Sequence, residues 1–197
     1  DQLLHPAVAY GYFPCGRDDN AVVVFNPEGG AELGRFDVPR QRSGNRYCIA
    51  DFFRDLKQGQ PCDVLPMQAV TMGEEASRFS QELFRKDAYS DYLFFHGLAV
   101  QMAEALAEWT HARIRRECGF SDPDGMRLRD IFAQRYRGSR YSFGYPACPN
   151  VADSRQQLEW LKADRIGLTM DESDQLHPEQ STTALVALHS NARYFSA

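Results

Sequence analysis

The stretch Arg140-Tyr-Ser-Phe-Gly144-Tyr145-Pro-Ala-Cys148-Pro149 places a fixed cation, a glycine, an aromatic ring and two prolines within ten residues of a 197-residue chain. Arg140 can hold a carboxylate through two parallel hydrogen bonds. Gly144 lets a backbone approach a flat ligand closely, and Tyr145 offers a ring to pack on and a hydroxyl to orient. Because the prolines stiffen the turn before anything binds, the stretch predicts a preformed site for a small zwitterion that carries an aromatic group.

Ordinary turn chemistry is the alternative explanation of the same residues. Gly-Tyr-Pro is a common turn sequence, an arginine at position 140 can pair with a helix end, and Tyr145 can pack against its own turn. Cys148 is a candidate nucleophile, but no partner histidine is evident in the sequence. A buried structural thiol is the better interpretation of this cysteine. The rest of the sequence is needed to distinguish a ligand site from an ordinary turn.

The composition is that of a globular protein, with 43% hydrophobic residues, 25% charged residues and a formal net charge of −5. The longest basic run, Arg113–Arg116, is too short to predict a groove for a nucleic-acid backbone. No apolar run approaches the roughly 20 residues of a membrane span, and no signal-peptide pattern is present. We therefore expect a cytoplasmic protein that binds neither nucleic acid nor membrane.

The cysteines and histidines show no spacing that is typical of a metal site or a disulfide framework. The cysteines form no Cys-x-x-Cys pair, which favours reduced thiols, and we expect no metal site. These residues are Cys15, Cys48, Cys62, Cys118 and Cys148, and His5, His96, His111, His177 and His189.

Hydrophobic patterning predicts strands on both sides of a block of helices. We expect Pro14 to end the first strand, Pro66 to interrupt the fourth, and Asp51 to cap its own short helical turn over residues 51–54. Strands are predicted over residues 7–13, 21–25, 33–38, 63–71, 166–169, 184–188 and 194–196, and helices over residues 73–86, 90–117, 127–136 and 154–163. Because strands and helices do not alternate and no glycine-rich nucleotide loop is present, the pattern indicates an α+β fold with an antiparallel or mixed sheet.

The helix predicted over residues 90–117 carries two stripes. The apolar stripe is the kind that faces a core on an amphipathic helix. It contains Leu98, Met102, Ala105, Trp109 and Ala112, and the polar stripe contains Gln101, Glu104, Glu108 and His111.

Three separated stretches, taken in this order and spacing, resemble one known family. They are Asp91–Trp109 (DYLFFHGLAVQMAEALAEW), Arg137–Pro149, and a terminal set made of Glu172-Ser173, Pro178–Thr182 and Ala192–Phe195. The opening Pro6–Cys15 and the run Ala50–Phe53 fit the same family. Together they resemble the activation (S-adenosylmethionine-binding, reactivation) domain of cobalamin-dependent methionine synthase, and the resemblance covers nearly the whole chain.

The resemblance implies a C-shaped α+β domain with a twisted antiparallel sheet and long helices. It implies binding of S-adenosylmethionine and support for the reductive methylation of cob(II)alamin to methylcobalamin, which reactivates the synthase for methionine biosynthesis. The implied partners are the cobalamin-binding module of methionine synthase, which carries the cobalamin, and flavodoxin or an equivalent reductase. The chain would then act as part of a methyltransferase, with no catalytic residue assigned and no turnover of its own.

The resemblance also places the ligand-binding residues. Arg140 matches the arginine that meets the methionyl carboxylate. The other candidates are Tyr141, Ser142, Gly144 and Tyr145 in the segment that meets the adenosyl group, Glu104 on the long helix near the ligand, and Tyr194 and Phe195 at a terminal aromatic pair. The family often has two tyrosines at that pair, so Phe195 lacks one hydroxyl.

Residues 1–197 are expected to form one activation domain without its usual N-terminal helical part, which in the family contributes an aspartate to the ligand site. Two further functions stay open. One is a stand-alone adenosylmethionine-binding reactivase for another corrinoid protein. The other is a degenerate, non-enzymatic interaction domain. For Glu104 itself, the alternative interpretation is that Glu104 and Glu108 simply form a solvated helix face.

Overall fold

The computed structural model describes residues 2–59, 63–122 and 126–196, so the predicted thiol of Cys62 lies outside the described residues. The described residues form two compact units, each built from separated parts of the chain. The first unit draws on residues 1–10, 68–110 and 154–183, and the second draws on residues 11–67, 111–153 and 184–197.

The main sheet of the described residues has the strand order β3-β2-β1-β4-β8-β5. The strands are β1 (Ala7–Asp18), β2 (Ala21–Phe25), β3 (Glu32–Asp37), β4 (Asp63–Thr71), β5 (Ser139–Tyr141) and β8 (Ser181–Ala187). The pairs β1–β2, β2–β3 and β5–β8 are antiparallel. The predicted α+β class is confirmed, and a long helix accompanies the sheet.

Two prolines do not break their strands as predicted. β1 continues through Pro14 to Asp18, and its ladder with β2 begins only at Cys15. Because Pro14 precedes that ladder, its missing N–H leaves no gap in it. β4 is likewise continuous through Pro66. It is buried along nearly its whole length, which is typical of a strand in the interior of a sheet.

The first unit is mainly helical. Its core is a cluster of Met72, Ala76, Ala99 and Ala103. The elements are α1 (Glu74–Arg85), most of α2 (Tyr89–Glu117), α4 (Asp153–Leu161) and the hairpin β6 (Thr169–Met170) with β7 (Leu176–His177). The second unit adds α3 (Leu128–Phe132), and 3-10 turns cover Ile49–Phe52, Leu56–Gln58 and Ala163–Ile166.

The face of α2 that is buried is not the predicted one. Leu98, Met102 and Trp109 are 54%, 43% and 56% exposed. The buried stripe instead contains the small residues Ala99, Ala103 and Ala107, followed by Thr110, His111 and Ile114. Small side chains let the helix backbone approach its neighbours closely, so packing selects this stripe although the other has the larger side chains.

Several predicted boundaries also need correction. Residues 163–166 form a 3-10 turn, and of the strand predicted over 166–169 only Thr169 is extended, as the first residue of Thr169–Met170. The predicted strand at 194–196 is irregular, and the helix predicted over 127–136 is limited to Leu128–Phe132. Asp51 lies inside its helical turn, where its carboxylate accepts the backbone N–H of Cys48 at 3.2 Å. Within the described ranges, no helix has both the length and the apolar character of a membrane span.

Candidate functional site

Strand β5 presents Arg140 on the face opposite to its two neighbours. Arg140 pairs with Val186 of β8, and Tyr141 pairs with Leu185. Successive side chains of a strand point to opposite faces, and both Ser139 and Tyr141 are buried while Arg140 is only partly buried. The side chain of Arg140 therefore extends from a sheet strand whose backbone register is fixed.

The residues after β5 form a closed turn. The backbone N–H of Gly144 donates to the Cys148 carbonyl at 3.0 Å, and the Cys148 N–H donates to the Tyr145 carbonyl at 2.9 Å. Gly144 has a φ of 88°, and a Cβ added there would lie 3.1 Å from Cγ2 of Val151. Glycine is therefore the residue that this backbone accepts with least strain. The turn places Tyr145 on the surface, with its side chain 55% exposed.

Two buried side chains hold this turn in place, Phe143 against β3 and Cys148 within the turn itself. The ring of Phe143 is 7% exposed, and its centroid lies 5.1 Å from that of Phe36 in β3. The thiol of Cys148 donates to the Ser142 carbonyl at 3.0 Å. A turn that is fixed in this way loses little conformational entropy when a ligand contacts it.

Cys148→Ser is expected to leave ligand affinity within about threefold of the parent, equivalent to less than about 0.7 kcal/mol. Burial raises the pKa of Cys148 to about 12, so the group is a neutral thiol that donates a hydrogen bond. A serine hydroxyl can donate to the same carbonyl. Titration calorimetry with S-adenosylmethionine measures the effect, and a tenfold loss would place Cys148 among the ligand contacts.

Two candidate residues, Tyr141 and Phe195, contact each other in an aromatic cluster. Their ring centroids are 5.9 Å apart, with Phe52 stacked 6.3 Å from Tyr141 and Tyr47 5.8 Å from Phe195. The Tyr141 hydroxyl also donates to the Arg193 carbonyl at 2.8 Å. These contacts hold the last described residues beside β5, although those residues do not form a strand. Both candidate rings are buried, so they face the protein interior.

The remaining candidates differ in location. Tyr194 is 44% exposed and Ser142 is partly buried, and both belong to the second unit together with Arg140, Gly144 and Tyr145. Glu104 belongs to the first unit, where it is exposed on α2. Seven of the candidates therefore lie in one unit, and the assignment of all eight to a ligand remains a prediction.

His111 does not belong to a solvated stripe, because its side chain is fully buried. Its ring packs edge-on against Tyr136, with the centroids 5.3 Å apart. Neither ring nitrogen has a hydrogen-bond partner among the described residues. Burial, helped by the charges of Arg115 and Arg140, holds the pKa of His111 well below its ordinary value. The imidazole is therefore neutral in the folded protein at physiological pH.

The buried His111 is expected to make stability fall as the pH drops from 7.5 to 5.5. The unfolded chain binds a proton at His111 near pH 6.5, whereas the folded state does not until much lower pH. Acid therefore favours the unfolded state, by up to about 1.4 kcal/mol per pH unit below 6.5. His111→Leu should remove this component of the pH dependence of the urea midpoint, while His5→Gln, at an exposed position, should keep it. Identical slopes in the parent and His111→Leu would contradict the prediction.

Sequence reasoning missed Tyr47 and Phe52, which complete the aromatic cluster around Tyr141. Their aromatic character was visible, and Phe52 lies in a run that fits the family. Nothing in the local pattern connects them with Tyr141 or Phe195, because the contacts join residues that are far apart in sequence. Only the folded chain brings these segments together.

Comparison with known proteins identifies relatives whose similarity extends along nearly the whole chain. The family model described as "Vitamin B12 dependent methionine synthase, activation domain" matches residues 1–197. Methionine synthase of Mycobacterium tuberculosis (strain ATCC 25618 / H37Rv) is 46% identical over 206 residues, which cover 98% of this chain and 17% of that protein. Methionine synthase of Mycobacterium leprae (strain TN) is 47% identical over 207 residues, with the same coverage. The chain thus spans 17% of the length of these curated relatives.

A solved structure has the same fold. It is the crystal structure of the MetH reactivation domain bound to AdoHcy, which superposes with a TM-score of 0.87 at 24% sequence identity. The match covers 98% of this chain and 62% of that chain. At this level of identity the likeness establishes the fold alone.

Proposed function

This chain belongs to the family of vitamin B12 dependent methionine synthase activation domains, and from that membership we propose that it binds S-adenosylmethionine and supports the reductive methylation of cob(II)alamin to methylcobalamin. In this role it works within cobalamin-dependent methionine synthase, a methyltransferase. Another module of the synthase carries the cobalamin, and flavodoxin or an equivalent reductase supplies the electron.

The observation that carries the proposal is the position of Arg140 on β5, directly before the closed turn with Tyr145 at its tip. S-adenosylmethionine has a carboxylate at one end and a flat base at the other. A guanidinium fits the carboxylate through two parallel hydrogen bonds. The backbone at Gly144 and the exposed ring of Tyr145 suit the adenosyl group, because an aromatic face can pack on a base and glycine permits a close approach.

The other candidates support the same ligand in different ways. Tyr141 and Phe195 contribute indirectly. Their buried contact fixes the backbone that carries Arg140 and Tyr194. Tyr194 has an exposed side chain that can contact the ligand directly. Glu104 is an exposed carboxylate on α2, and a carboxylate attracts the ammonium and sulfonium charges of the ligand.

The contribution of these residues to methyl transfer is positioning. A reduced corrinoid supplies a very strong nucleophile when it is present, so the organometallic chemistry belongs to the cofactor. A sulfonium is a good leaving group that needs no proton. The chain therefore has to hold the methyl group in line with the nucleophile at near-attack distance, which alone lowers the barrier substantially. Arg140 and the turn perform this task by fixing the two ends of the ligand.

Titration calorimetry of the full-length protein tests the binding. S-adenosylmethionine should bind more tightly than methionine, which presents the same carboxylate without the adenosyl group. No heat at millimolar S-adenosylmethionine would overturn the proposal and favour a non-enzymatic interaction domain. Recovery of methionine synthase activity after oxidation, measured with and without S-adenosylmethionine, tests the reactivation. Binding without recovery of activity would exclude the reactivation role in this synthase.

A further inference from the structure

The imidazole of His111 is an exception to the rule that buried polar groups are hydrogen-bonded. The side chain is fully buried, and neither ring nitrogen has a hydrogen-bond partner among the described residues. Because burial lowers its pKa, the ring is neutral at physiological pH, and one of its nitrogens is an acceptor. The interior therefore contains an acceptor that a nearby donor can use.

Helix α2 passes the beginning of β5 at Arg115. A Cβ added to Gly138, directly before β5, would lie 3.7 Å from Cδ of Arg115. His111 lies one turn earlier on α2, about 6 Å along the helix axis. Arg140 lies two residues after Gly138, about 6.6 Å along an extended chain. These residues all belong to the second unit, and His111 and Arg140 both lie close to the same contact between helix and strand.

Electrostatics also indicate that Arg140 is a neighbour of His111. Burial, then the charge of Arg115 and then that of Arg140, lowers the pKa of His111. Arg115 is held by Asp122 through two hydrogen bonds of 3.0 Å and 2.7 Å. Arg140 is only partly buried, so one part of its guanidinium can face a ligand while another part faces the protein interior.

We propose that His111 is a positioning residue for Arg140, whose guanidinium donates a hydrogen bond to the unprotonated ring nitrogen of His111 when the ligand carboxylate is bound. This inference rests on the proposed function, in which Arg140 meets that carboxylate. A guanidinium has five N–H donors in a rigid plane, and a carboxylate accepts from two of them. A hydrogen bond from a third N–H fixes the rotation of this plane and so directs the other two at the ligand.

The buried surroundings of His111 suit this role because they keep the imidazole neutral. A protonated imidazole has no acceptor nitrogen. It would also place a third positive charge beside Arg115 and Arg140, and like charges in the interior repel each other. The ring of Tyr136 completes the enclosure, with its centroid 5.3 Å from that of His111 and 4.0 Å from the guanidinium of Arg115.

Titration calorimetry of the full-length protein with two matched ligands tests the inference. Decarboxylated S-adenosylmethionine differs from S-adenosylmethionine only in lacking the carboxylate that Arg140 would hold. His111→Leu should weaken binding of S-adenosylmethionine about five- to tenfold and leave the affinity for the decarboxylated ligand within about twofold of the parent. An equal loss for both ligands, or no loss for either, would overturn the proposal. His111→Phe, which keeps a ring without nitrogens, gives the same comparison if His111→Leu does not fold.

A conservative variant separates positioning from packing. His111→Gln restores an acceptor, the amide oxygen, at the same position of α2, so its S-adenosylmethionine affinity should return to within about threefold of the parent. Thr110→Val is the matched control. It removes a buried hydroxyl that donates to the Leu106 carbonyl at 2.8 Å, and it should leave both affinities unchanged. Equal affinities in His111→Leu and His111→Gln would contradict the positioning role.

A double-mutant cycle identifies the residue through which His111 acts. In an Arg140→Ala background, His111→Leu should cause no further loss of S-adenosylmethionine affinity, because the group that His111 orients is absent. Additive losses would show that His111 acts through another residue and would overturn the proposal. Absence of binding in the parent protein would instead contradict the proposed function itself, so the two failures are distinguishable.

Discussion

Arg140→Ala is expected to weaken S-adenosylmethionine binding at least tenfold. The register of β5 fixes the backbone from which this side chain extends, and the turn that presents Tyr145 follows directly. Each charge-assisted hydrogen bond contributes roughly 1.5–3 kcal/mol, and loss of one corresponds to about a 10- to 150-fold change in affinity. Titration calorimetry gives the affinity, and circular dichroism of the variant verifies that the fold is retained.

Two matched variants separate a specific contact from a general loss of positive charge. Arg140→Lys keeps the charge but removes the planar pair of donors, so an intermediate loss of affinity is expected. Arg137→Ala removes an exposed arginine three residues away, whose guanidinium lies 4.4 Å from the Phe120 ring centroid. It should bind the ligand like the parent. Equal affinities in Arg140→Ala and the parent would remove Arg140 from the site.

Arg115→Ala is expected to lower the free energy of unfolding by about 3 kcal/mol, because breaking a buried ion pair costs roughly 3–5 kcal/mol. The Arg115 side chain is 1% exposed and holds Asp122 through two hydrogen bonds of 3.0 Å and 2.7 Å. Its guanidinium also lies 4.0 Å from the centroid of the Tyr136 ring. Since Asp122 is 25% exposed, we expect the lower end of that range. Urea denaturation followed by tryptophan fluorescence measures the change.

Arg113→Ala is the matched control on the same helix. Arg113 pairs with Glu117 at 2.7 Å, but these side chains are 43% and 35% exposed. An exposed pair of this kind contributes about 0.5 kcal/mol or less. Arg115→Met keeps most of the buried volume without the charge and should lie between the two alanine variants. Similar losses in Arg113→Ala and Arg115→Ala would show that burial does not set the strength of these ion pairs.

The turn after β5 was predictable because its properties are local. A glycine at a position that requires positive φ and a tyrosine at the tip of the turn are visible in ten consecutive residues. The bounds of β2 and α2 follow equally from local patterning, since their apolar residues repeat with the period of a strand or a helix. The contact between Tyr141 and Phe195 is different in kind, because it joins residues that no local pattern connects.

The sequence by itself determined the family, the α+β class, the long helix and the closed turn that carries the candidate ligand site. Only the tertiary structure decided which face of α2 is buried, how β1 passes through Pro14, and that His111 is enclosed beside Arg115. The physical reason is that both stripes of α2 repeat with the same helical period. Periodicity alone favours the larger apolar side chains, whereas close packing against neighbouring elements selects the alanine stripe that contains Ala99 and Ala103.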